Sequence, residues 1–104
     1  MSLELVLEEE LKSVSNGIHA CYKLDHENDY EQTLDSLIIT YCRDRDELCI
    51  KEIMSDWILV YDMKEDNIEL VGMPVSVMLA KLRYITENTR DKHFTKTWQK
   101  LFSL

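Results

Sequence analysis

WILVYDMKEDNIELVG, residues 57–72, reads two ways, and the choice sets the fold. At a helical period, Trp57, Ile58 and Tyr61 continue a stripe that starts upstream at Ile50, Ile53 and Met54. At a period of two, the same stretch is a pair of short strands turning at Lys64–Asn67. LIITYCRDRDELCIKEI, residues 37–53, carries the same ambiguity, with a turn at Arg45-Asp46 in its strand reading.

Composition tips the balance toward helix. The 104 residues include 2 Gly and 1 Pro, whereas turn-rich β-proteins use more of both. The expected architecture is therefore all-α: a compact single-domain bundle of four to five short helices over residues 1–104. The alternative is α+β, with an N-terminal helix, a central antiparallel sheet within residues 18–71, and C-terminal helices. Plentiful Ile, Val, Thr and Tyr support that alternative.

Upstream, Leu3, Leu7, Leu11, Val14 and Ile18 form one helical stripe, with Glu4, Glu8, Glu9 and Glu10 in the half where the helix dipole favours acids. Asn16-Gly17 is the expected terminator. In the all-α reading, Tyr30, Leu34, Leu37, Ile38 and Tyr41 make a second stripe. Downstream, Ile68 to Val71 is a short extended piece, and Gly72-Met73-Pro74 opens a helix with Val75, Met78, Leu79, Leu82 and Ile85 on its core face. Phe94, Trp98, Leu101 and Phe102 suggest one more helix beside Lys92, Lys96 and Lys100.

The stretch GIHACYKLDH, residues 17–26, places His19, Cys21, Asp25 and His26 close together in sequence. On a helix, His19 and Cys21 face opposite sides, and His19 and His26 lie about 10 Å apart along the axis. Metal bonds near 2 Å do not span that gap. If Gly17 ends the helix, residues 18–24 alternate as a strand, His19 and Cys21 share its outer face, and His26 can join them from the loop; H-x-C-x4-H is still not a familiar zinc spacing. Cys42 and Cys49, seven apart, share a helical face or oppose each other across a hairpin. Three cysteines make a poor disulfide framework, and glycine at positions 17 and 72 alone excludes a Gly-rich phosphate loop. No catalytic residue, metal ligand or cofactor is assigned, and the protein is not expected to be an enzyme.

Charge is the strongest functional signal. Residues 1–70 carry 18 acids against 6 Lys and Arg, while residues 71–104 carry 2 acids against 6. The whole chain has net charge −8 and pI about 4.8. An acidic body repels nucleic acid and attracts basic protein surfaces. The basic segment Lys81–Lys100 reads as a solvated helix face. The acidic start MSLELVLEEE is unlike a signal peptide, and the longest apolar run, Trp57–Tyr61, is too short to span a bilayer. A cytoplasmic location is expected, with no membrane partner and no direct nucleic-acid contact.

The expected function is a protein-binding module. It docks on a basic partner, such as a nucleic-acid-binding protein, and inhibits or adapts it by mimicking nucleic-acid charge. The assigned contact residues are Asp25, Glu27, Asp29, Tyr30 and Glu31, with Asp44, Asp46 and Glu47. One alternative is a self-assembling scaffold, a homodimer formed through the Leu3–Ile18 stripe or through acidic body against basic end. A small metal- or thiol-dependent protein is the second.

Overall fold

A computed structural model describes residues 3–34 and 36–88 of the chain. A long helix α1 (Leu3–Asp25) leads into five strands: β1 (Tyr30–Leu34), β2 (Leu37–Cys42), β3 (Glu47–Glu52), β4 (Ile58–Asp62) and β5 (Asn67–Val71). Helix α2 (Val75–Asn88) closes the described chain. The strands form one antiparallel meander in the order β1-β2-β3-β4-β5.

The all-α expectation, and with it the description of the chain as helical, is overturned by this sheet. Both ambiguous stretches are hairpins, and the architecture is the α+β alternative. Tyr41 faces Leu48, Ile39 faces Ile50, Leu48 faces Tyr61 and Ile50 faces Leu59 across neighbouring strands. These residues, with Leu37, make the inner face of the sheet and are buried. Alternation is hard to see in the sequence because the outer face is also partly apolar, with Ile38, Cys49, Ile58 and Val60 half-buried or little more exposed than that. The helical stripe through Ile50 and Trp57 was a coincidence of spacing: Ile53, Met54 and Ile58, counted in it, are exposed.

Both hairpins turn through four residues, Arg43–Asp46 and Met63–Asp66, each ending on an aspartate with positive φ, 48° at Asp46 and 49° at Asp66. Aspartate tolerates that conformation better than most residues. This is how the chain makes tight turns with so little glycine.

Gly17 does not end α1. A mid-helix glycine costs about 1 kcal/mol, and each of the buried side chains that follow, Ile18, Cys21 and Tyr22, belongs to the core. Burial of a single such aliphatic or aromatic group contributes roughly 1.5–3 kcal/mol, which outweighs the glycine. Leu7, Leu11, Val14 and Ile18 pack in the same core against the sheet and α2. From Leu7 to Ile18, the stripe offered above to a second copy is therefore packed within the chain. Helix α2 begins where Gly72-Met73-Pro74 predicts and buries Met78, Leu79 and Leu82. The expected last helix, with Phe94, Trp98, Leu101 and Phe102, and most of the basic segment lie outside the described residues.

Candidate functional site: an acidic end of the sheet

A meander with α1 running into it puts particular segments at one end. The α1–β1 connection, the β2–β3 turn and the β4–β5 turn all lie there. Two acidic clusters, separated in sequence, meet in this way. The Arg43 backbone N–H donates to Asp29 Oδ1 at 2.9 Å, and the Arg43 guanidinium donates to the His26 carbonyl at 3.2 Å. Glu27, Asn28, Asp29, Arg43 and Asp44 line a cleft of about 340 Å³ between the two segments.

The third turn is stitched to the second. Met63 N–H donates to the Asp46 carbonyl at 2.9 Å, and Lys64 Nζ donates to the Asp44 carbonyl at 3.0 Å. Asp62 Oδ1 accepts from the backbone N–H groups of Lys64 and Glu65, which caps the turn. Asp62, Glu65 and Asp66 thereby join the acidic surface. The assigned contact residues did not include them, although the hairpin reading of residues 57–72 carries the signal: it sends its turn to the same end as Arg43–Asp46.

The assigned residues do different things. Glu27 and Asp44 present exposed carboxylates to the cleft. Asp29 holds the two segments together, and Asp25 is half-buried at the end of α1. Asp46 turns inward, with Oδ1 3.7 Å from His19 Nε2 and 3.8 Å from Lys23 Nζ. Glu31 and Glu47 lie on the outer face of the sheet, where Glu47 meets Arg45 at 3.7 Å. Tyr30 is 37% exposed and stacks on His26 with ring centroids 3.6 Å apart. Behind this pair, Tyr22 is buried and donates its hydroxyl to Gln32 Oε1 at 2.7 Å. Tyr22 is a support for the aromatic pair, and Tyr30 is the ring that reaches solvent.

No protein-family model, curated protein or solved structure matches this chain.

The residues of GIHACYKLDH are dispersed. His19 and Cys21 are both buried in α1, while His26 sits in the α1–β1 connection against Tyr30. Among the described residues no group of three or more His, Cys, Asp or Glu is placed to hold a metal ion. All three cysteines are free. Cys42 pairs across strands with Glu47, and Cys49 with Thr40 and Val60, so the two cysteines are not opposite one another. Burial pushes the Cys21 thiol up to about 12 and also raises that of Cys49, the direction away from a reactive thiolate. No helix among the described residues is long and apolar enough to cross a membrane.

Proposed function

We propose that the acidic end docks on a basic surface of a partner protein and inhibits or adapts that partner. The observation that supports this reading is the joining of the clusters at 25–29 and 44–46 into one surface through Asp29 and Arg43, with the 62–66 turn bonded alongside. Carboxylates spread over three rigid turns present a field of one sign, which speeds encounter with a basic target and selects against acidic ones. Tyr30, ordered by its stack on His26, supplies an apolar contact at low entropic cost. A protein whose groove binds nucleic acid offers the matching charge, and the acidic turns stand in for phosphates there. The role requires no catalytic group, metal or cofactor.

The test is affinity capture from nuclease-treated host-cell lysate, comparing the natural chain with a Glu27→Lys/Asp44→Lys/Glu65→Lys variant. A basic protein retained at physiological salt by the natural chain and lost from the variant is the expected result. Equal recovery by both chains would overturn the reading.

A further inference from the structure

Strand β1 starts at the acidic end and forms one edge of the sheet: among the described residues it pairs with β2 alone. Alternation decides which of its backbone groups face outward. The Ile53 N–H donates to the Ser36 carbonyl at 3.0 Å, so Ser36, and with it Ile38 and Thr40, bonds toward β3. Leu37, Ile39 and Tyr41 bond the other way, to Leu34, Gln32 and Tyr30 of β1. Glu31 and Thr33 lie between those residues and turn their N–H and C=O to the open edge.

Edge strands are commonly blunted by lysine, proline or a bulge. The β1 sequence, Tyr-Glu-Gln-Thr-Leu, holds neither residue, and its five positions pair with β2 without interruption. Acids line it instead. Glu31 stands on its outer face, and Glu27 and Asp29 lie in the connection that enters it, where the Arg43 N–H fixes Asp29. Residues 23–31, 43–47 and 62–66 together carry ten acids against four bases. Each of those bases is engaged: Lys23 with Asp46, Arg43 with the His26 carbonyl, Arg45 with Cys42 and Glu47, and Lys64 with the Asp44 carbonyl. Tyr30, stacked on His26 and partly exposed, begins the strand. Strand β5, the other edge, also lacks lysine and proline, but it holds no aromatic residue. An unprotected edge, acids along it and an ordered exposed ring coincide at β1.

We propose that the partner supplies an extended basic segment that pairs with β1 as a sixth strand. Backbone bonds to Glu31 and Thr33 set its register. A lysine or arginine opposite Glu31 answers that carboxylate, a second reaches Asp29 where the strand begins, and Tyr30 packs beside the added chain. The inference rests on the reading of the acidic end as a surface for a basic protein, and it narrows that partner to one with an extended basic arm.

The probe is an alternating lysine–valine octapeptide, added to the full chain while amide hydrogen exchange is read residue by residue. The expected result is exchange slowed by about tenfold or more at Glu31 and Thr33, with binding lost in about 0.5 M salt. An octapeptide with proline in place of each valine, equal in charge but short of donors, does not bind. Thr33→Pro removes an outward N–H, a place where an edge strand tolerates proline, and abolishes binding; Glu31→Lys weakens it by about fivefold or more. Circular dichroism and denaturant melts establish that each variant is folded; if Thr33→Pro is not, Glu31→Lys alone decides. No protection at β1, protection at Asn67–Val71 instead, or equal binding of the proline peptide would each overturn the proposal. So would Glu31 and Thr33 amides already protected in the free chain, which assigns the edge to the chain's own remaining residues. A basic protein captured from lysate as well by folded Thr33→Pro as by the natural chain would overturn the added strand and leave the acidic-end reading standing.

Discussion

His19 is fully buried, and neither ring nitrogen has a hydrogen-bond partner among the described residues. Burial lowers its pKa from the ordinary 6.5; the nearby Asp46 carboxylate pulls the other way and loses, and Lys23 adds to the lowering. Tyr41 and Tyr61 pack edge-on against the ring. The folded chain thus holds His19 neutral at pH values where the unfolded chain binds a proton. Stability contributed in this way is complete above about 6.5 and falls as pH drops from there toward the lowered folded value. Within that window the slope approaches about 1.4 kcal/mol per pH unit for one proton. Denaturant melts at pH 7 and pH 5 should show His19→Leu losing less stability on acidification than the natural chain; an identical loss would rule this origin out. Met54, at φ +63°, makes the opposite case, a residue whose conformation opposes its type. Met54→Gly should raise the stability of the fold by about 0.5–1 kcal/mol, read from the urea midpoint; no gain would mean that the left-handed backbone at Met54 carries little strain.

Among the elements, the junction from β5 to α2 leaves no room for a side chain at Gly72. Gly72 has φ +94°, and a Cβ there would lie 2.8 Å from Trp57 Cα and 2.9 Å from Trp57 Cβ. Backbone and ring are locked together, since Trp57 is buried and donates its indole N–H to Glu52 Oε2 at 3.0 Å. The Ser36 hydroxyl, donating to Glu52 Oε1 at 2.8 Å, and then the Trp57 bond hold the Glu52 carboxyl below its usual range. Gly72→Ala should destabilise the fold by at least about 2 kcal/mol through strain and overlap together, measured by denaturant unfolding. A cost under half of that would mean that the junction can shift. The boundary at Gly72-Met73-Pro74 was readable because glycine and proline there act locally. The strands were not, because Ile38, Cys49, Ile58 and Val60 give the outer face an apolar character and erase the polar alternation that marks a half-buried sheet.

At the scale of the molecule, the acidic turns lie at one end of the sheet, and Ile53, Met54, Val77 and Tyr84 are exposed at the other. Raising ionic strength from about 0.05 M to about 0.5 M shortens the screening length severalfold and should release the basic partner, read as its elution from the immobilised chain; retention at the higher salt would argue against a charge-driven contact. The Glu27→Lys/Asp44→Lys/Glu65→Lys variant should keep its stability within about 1 kcal/mol, because each change is on an exposed turn. A larger loss in denaturant melts would mean that these carboxylates hold the turns themselves.

The acidity of residues 1–70, the helical stripe from Leu7 to Ile18 and the start of α2 at Gly72-Met73-Pro74 follow from the sequence by itself, since composition, one amphipathic face and a local stop need no distant partner. The length of α1 past Gly17, the strand character of residues 30–71 and the meeting of the two acidic clusters were decided by tertiary structure. In each case the deciding energy comes from residues far apart in the chain: core burial extends the helix, cross-strand packing chooses the sheet, and an antiparallel meander carries alternate turns to the same end.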